Sequence, residues 1–208
     1  MIDAPEAFRA AYNVSRETLL RLEGLVVLLD KWNRGINLVS ASTLPVVWSR
    51  HIADSAQLWP LRRKDDGLWL DLGSGAGFPG LIIAILAAEF APAMAVRLVE
   101  SDERKAAFLL TAARETRLGV DVLVDRIERL PPQQADVVSA RALAPLSDLL
   151  GMLEKHRRPG GIGLFPKGET VHNEIADACS QWRFDCNLIP SRTDPRATIL
   201  EIGATERV

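Results

Sequence analysis

Residues 70–80, Leu-Asp-Leu-Gly-Ser-Gly-Ala-Gly-Phe-Pro-Gly, decide how this chain folds. An apolar run ending at Leu72 meets a helix-forming run that starts near Phe78, and Gly73, Gly75, Gly77 and Gly80 occupy the turn. Glycine is needed where a chain reverses tightly and lets a ligand approach bare backbone. Outward from this turn, short apolar runs alternate with helix-length segments. The pattern predicts strands at 68–72, 96–100, 120–124, 135–140 and 161–166, and helices at 79–89, 102–118, 145–155 and 168–181. Two further strands, 183–190 and 197–203, flank Ser191-Arg192-Thr193-Asp194-Pro195, short enough for an antiparallel hairpin. Such alternation demands an α/β fold, a mostly parallel sheet with helices on both faces. A ligand then belongs at the carboxyl ends of the strands, where strand order reverses.

The first sixty residues have a different texture. Leu22, Leu25, Val26, Leu29 and Trp32 form the stripe of an amphipathic helix. Gly35 interrupts it, and a second stripe runs through Leu44, Trp48, Ile52, Ser55 and Trp59. Its small and aromatic members predict packing against the first helix. The charged turn Arg62-Arg63-Lys64-Asp65-Asp66-Gly67 marks the boundary, with a helical extension at 1–64 and the sheet domain at 65–208.

The 208 residues are 48% apolar and 25% charged, enough for one sizeable core and incompatible with wholesale disorder. The net charge is −2, so no global basic excess advertises nucleic acid. Cys179 and Cys186 make neither a disulfide framework nor a zinc site, which fits a reducing cytosol. No apolar run is long enough to span a bilayer, and Met1–Arg9 does not read as a signal peptide. The expectation is a soluble cytoplasmic protein.

Gly75-Ala76-Gly77-Phe78-Pro79-Gly80 fits the dinucleotide pattern G-x-G-x-x-G, and Glu100 follows twenty residues after Gly80. Two features argue against a diphosphate. Pro79 removes a donor at the helix start, and Asp71 at the strand end is expected to face the same crevice. An acidic residue there suits a ligand with a cationic amine and no phosphate. S-adenosylmethionine is such a ligand, and Glu100 at the end of the second strand is placed to accept both its ribose hydroxyls. The alternative for Glu100 is a surface carboxylate opening the helix cap Glu100-Ser101-Asp102-Glu103.

The loop ending Phe78-Pro79-Gly80 resembles that of the bacterial ribosomal RNA small subunit methyltransferase G family, also called glucose-inhibited division protein B. Further family-like strings stand in order: WNRGINLVS at 32–40, RHIADS at 50–55, VESDERKAAFL at 99–109, RIE at 126–128, SARAL at 139–143 and FPKG at 165–168. The last departs from the usual aliphatic-Lys-Gly, so Lys167 carries over more firmly than its neighbours. The resemblance implies a Rossmann-like class I S-adenosylmethionine-dependent methyltransferase. Its sheet is seven-stranded and mostly parallel, with a terminal antiparallel hairpin and an added amino-terminal helical portion. It implies methyl transfer to N7 of a guanosine in 16S rRNA, on naked RNA, the small subunit or an assembly intermediate; separately, the expectation is a monomer with no metal and no membrane. It places the cofactor against Gly73, Phe78, Ile127, Glu128 and Arg141, and Asp71, Gly75 and Glu100 join them from the loop reading. Ile127-Glu128 is expected on the loop after the fourth parallel segment.

Guanine N7 carries a free lone pair at neutral pH, so the implied reaction needs no general base. Alignment of the reacting atoms then supplies most of the catalysis. The guanine gains positive charge, so nearby arginines should hold phosphates or the O6 edge. Arg141, Lys167, Arg126 and Arg196 are the candidates for the reacting side, with Arg192 beside them. Arg62, Arg63 and Lys64 are a second candidate phosphate patch, although Asp65 and Asp66 partly cancel it. His51, His156 and His172 lack metal-ligand spacing. For His51, beside Arg50, packing and function are equally open.

Overall fold

A computed structural model describes residues 2–208. Helices α1 (Pro5–Tyr12) and α2 (Arg16–Asn33) come first. Residues 41–61 then form a chain of tight turns: a 3₁₀ segment Ala41–Val46, a π-helical turn Trp48–Ala53, a single α-turn α3 (Asp54–Ala56) and a 3₁₀ turn Trp59–Leu61. The second apolar stripe is therefore not one regular helix. Pro45 lacks an amide hydrogen and the 3₁₀ and π turns change the pitch, yet Trp48, Ile52, Ser55 and Trp59 are all buried. Trp48 packs on Phe8 of α1, with ring centroids 5.9 Å apart.

The alternating part holds β1 (Asp66–Leu72), α4 (Gly80–Phe90), β2 (Ala93–Glu100), α5 (Glu103–Glu115), β3 (Val120–Val124) and β4 (Ala135–Ala140). It continues with α6 (Leu146–His156), β5 (Arg157–Lys167), α7 (Val171–Ala178), β6 (Trp182–Pro190) and β7 (Thr198–Arg207). The seven strands lie in the order β3-β2-β1-β4-β5-β7-β6. The first five are parallel, and β7 runs antiparallel to both β5 and β6. Strand order reverses between β1 and β4, and the carboxyl ends of the strands at such a point are where open α/β sheets bind ligands.

Two apolar clusters cover the two faces. One joins α1, α2 and residues 47–59 to α4, α5 and one side of the sheet. The other joins α6, α7 and the hairpin to the opposite side, with Ile127 and Leu130 in it. Helix α4 is buried from Gly80 through Ala87 because the sheet lies beneath it and the amino-terminal helices lie over it. Glu89 clamps the two layers, its carboxylate accepting from the Ser15 amide (2.9 and 3.1 Å) and hydroxyl (3.1 Å) at the start of α2. The 125–134 connection holds only turns.

Candidate active site

The glycine turn leaves β1 at Leu72 and enters α4 at Gly80. Gly73, Gly75 and Gly77 have φ of +62°, +54° and +82°, conformations that other L-residues adopt only with strain. A Cβ at Gly75 would meet nothing nearer than Gly73 O at 3.8 Å, so its outer side is open. At Gly73 it would strike Leu143 Cδ1 at 2.5 Å, and at Gly80 Asp71 Oδ2 at 2.7 Å. Gly75 is thus bare toward solvent, while Gly73 and Gly80 are bare to admit side chains of the protein.

Asp71 does not face the crevice. It is 0% exposed; Oδ1 accepts from Ser139 Oγ at 2.7 Å and Oδ2 from the Gly80 amide at 3.2 Å. Burial pushes its carboxyl up to about 6. Its work is to anchor the amino end of α4 to β1, which corrects the expectation that it meets a cationic ligand directly. Glu100, 7% exposed, accepts from the Gly75 amide through Oε2 and the Asp102 amide through Oε1, both at 2.8 Å. Each oxygen keeps a lone pair for a hydroxyl donor. The cap of α5 comes instead from Asp102, which accepts from the Arg104 and Lys105 amides.

Arg141, directly after β4, lies at the carboxyl end of the sheet and is pinned there by the amino-terminal turns. Its Nη1 donates to Asp54 Oδ2 at 3.2 Å and to the Arg50 carbonyl at 3.3 Å; its Nη2 donates to His51 Nδ1 at 3.0 Å. Its guanidinium lies 5.3 Å from the Phe78 ring centre, and the His51 ring stacks on Phe78 at 5.0 Å and 17°. Arginine can only donate, so His51 Nδ1 accepts and its Nε2–H donates to Thr43 Oγ1 at 2.8 Å. Burial, with Arg141 and Arg50 nearby, lowers the imidazole to about 3, so it is neutral at physiological pH. Asp54 and His51 sit one turn apart in RHIADS, the signal that could have placed both beside Arg141.

A family model described as GidB, rRNA small subunit methyltransferase G, matches residues 19–192. Ribosomal RNA small subunit methyltransferase G of Cereibacter sphaeroides strain ATCC 17025 is 54% identical over 198 residues, 95% of each chain. That of Ruegeria pomeroyi is 51% identical over 94% of this chain and 96% of its own. The chain belongs to the rRNA small subunit methyltransferase G family. Two solved structures share its fold. A SAM dependent methyltransferase from Aquifex aeolicus has a TM-score of 0.57 and 14% identity, covering 86% of this chain and 97% of its own. M. jannaschii TYW2 in complex with AdoMet has a TM-score of 0.54 and 13% identity, covering 78% and 79%.

The remaining candidates divide. Ile127 and Glu128 follow β3, the third strand and not a fourth; Ile127 is 8% exposed within the α6-side cluster. Their carbonyls accept from His156 Nε2 at 3.2 Å and from Lys155 Nζ at 2.7 Å. Lys167 ends β5 with its ammonium turned inward, donating to Glu174 Oε2 at 2.7 Å and the Ala144 carbonyl at 2.9 Å. Glu174 also accepts from the Leu146 amide, so Lys167 steadies the loop that carries Arg141. Arg126 and Arg192 are exposed with no ion pair among the described residues, whereas Arg196 pairs with Glu169 at 2.8 Å and Asp194 at 3.3 Å. The triplet is no phosphate patch. Arg62 pairs with Asp65, Arg63 with Glu201 and Lys64 with Asp66 and Asp136, the last at the amino ends of the strands, opposite the crevice. His172 is exposed on α7. Sequence reading missed Asp54, Gln57 and Thr193, which meet beside Arg141 from segments far apart in the chain.

Proposed function

We propose that this chain transfers a methyl group from S-adenosylmethionine to N7 of a guanosine in 16S rRNA, within the small subunit or its assembly intermediate. Family membership carries the reading, and the crevice supports it. The open φ-positive Gly75 and the carboxylate of Glu100 offer bare backbone and an acceptor for a ribose diol, with no cation in the loop to balance a diphosphate. S-adenosylmethionine supplies a methyl group on a positively charged sulfur. Glu100 and the backbone of Gly73 and Gly75 would hold it, with Phe78, Ile127 and Glu128 beside it.

The chain's own part is orientation and charge control. Guanine N7 needs no base, and the residues around Arg141 provide none: His51 is neutral with both ring nitrogens committed. The charge of Arg141 is matched by Asp54, so the cluster does not oppose the positive charge that the purine gains. Two of the five Arg141 donors, Nε–H and one on Nη2, make no hydrogen bond among the described residues and remain for an acceptor on cofactor or RNA. The test is incubation with labelled S-adenosylmethionine and small subunits, followed by mapping of N7-methylguanosine. Label at one guanosine is expected; calorimetric binding of NAD in place of S-adenosylmethionine would overturn the reading.

A further inference from the structure

Resting on that reading, we propose that Asp54 is a positioning residue for Arg141 and links it to the loop between β6 and β7. Asp54 is 5% exposed, and its two oxygens face two different parts of the chain. Oδ2 takes Arg141 at 3.2 Å; Oδ1 takes Thr193 Oγ1 at 2.7 Å and Gln57 Nε2 at 3.0 Å. Gln57, itself buried, fixes the same loop through its Oε1, which accepts from the Arg192 amide at 2.8 Å. Ser191 Oγ accepts from Gln57 Nε2 at 3.1 Å and from the Thr193 amide at 3.2 Å. The loop's conformation and the guanidinium's direction are therefore set by the same carboxylate.

A guanidinium held by one edge presents its remaining donors in a fixed direction, and a two-atom acceptor gains from a fork that is already oriented. The loop that feeds Asp54 carries exposed Arg192, which has no ion pair among the described residues and is open to an RNA phosphate, whereas Arg196 is held by Glu169 and Asp194. Contact with RNA at the loop thus reaches the crevice through Thr193, Asp54 and Arg141 with no change of strand position.

Asp54→Asn and Thr193→Val test this, each alone and together with Arg141→Lys. The readouts are single-turnover transfer to small subunits at saturating donor and the melting temperature. Asp54→Asn should slow transfer about tenfold and Thr193→Val about threefold, and neither should slow the Arg141→Lys enzyme further, because coupled residues are not additive. Arginine Nε–H NMR of Arg141 should broaden in both single variants. Parental rates and an unchanged Arg141 signal would overturn the proposal, as would equal slowing in both backgrounds, which marks a purely structural role. If Asp54→Asn does not fold, Thr193→Val on the loop decides alone. A parent enzyme with no transfer would refute the methyltransferase reading instead, and the NMR arm would still judge Asp54.

Discussion

Asp71 and Ser139 stand opposite each other in the register of β1 and β4, and the serine hydroxyl donates to the aspartate at 2.7 Å. The same hydroxyl accepts from Trp69 Nε1 at 2.9 Å, and all three side chains are fully buried. Ser139→Ala would leave an indole N–H and a carboxylate oxygen without partners. A loss of about 2–3 kcal/mol is expected in denaturant unfolding, with the Asp71 carboxyl rising further. An unchanged midpoint would mean that water replaces the hydroxyl.

His51 should make the protein acid-sensitive. Its pKa is about 3 when folded against about 6.5 unfolded, so below pH 6.5 the unfolded state binds a proton that the folded state refuses. Stability from this group is full above pH 6.5 and is lost by about 1.4 kcal/mol per pH unit as pH falls toward 3. Asp71, raised to about 6, acts oppositely: between pH 4 and 6 the folded state holds the extra proton, so acidification through that window favours folding. His51→Gln should be weaker at pH 7.5 yet lose less between pH 7.5 and 5.5 than the parent. Parallel stability curves for the two proteins would contradict the buried neutral imidazole.

Gly75 and Gly73 should separate ligand binding from folding. Gly75→Asp places a side chain in open space at a φ that aspartate tolerates, so the chain should fold while cofactor affinity is lost. Gly73→Asp additionally collides with Leu143 and should lower the melting temperature. Calorimetry with S-adenosylmethionine, alongside thermal melts, reads both; normal affinity in Gly75→Asp would remove the turn from the binding site.

Arg141→Ala should cost stability as well as activity. Asp54 would keep Thr193 and Gln57 but lose its countercharge in a nearly closed site, about 2–4 kcal/mol. Arg141→Lys should retain much of that stability and still lose most transfer, since an ammonium lacks the fork. Equal activity in the Arg141→Lys and parental enzymes would reduce Arg141 to a structural ion pair.

RNA affinity should depend modestly on salt. The rim's cations with little or no local compensation are Arg126, Arg192 and Arg50, the last 4.0 Å from Asp194. About three phosphate contacts predict a log–log slope near −2 to −3, and Arg192→Ala should make it shallower by about one contact. A slope several times steeper would place RNA on a surface other than this rim.

What the sequence disclosed and what it hid differ physically. Strands and helices came from local periodicity, which is why every β and α element after Asp66 lies within a few residues of expectation. The second stripe obeyed helical spacing while its backbone did not, because burial constrains side chains and only loosely the pitch. Asp71 was read from its position at a strand end, but its direction is set by Ser139 across the sheet, a partner that strand order alone reveals. Arg141 was recognisable as a crevice residue. Its partner Asp54 was visible only as part of RHIADS, because the packing of the amino-terminal turns on α4 is what brings it to Arg141.

The placement of β7 between β5 and β6 sets an order of events for a growing chain. β6 pairs with β7 alone, so it has no berth until residues 198–207 have emerged and taken the slot beside β5. Only then can Thr193 reach Asp54, 139 positions earlier. Such distant closures are slow compared with local helix formation. During synthesis the glycine turn, α4 and α5 can be shaped early, while the rim around Arg141 is finished last. A ribosome-bound fragment ending before β7 should therefore hold a nearly complete parallel sheet whose catalytic mouth is still unassembled.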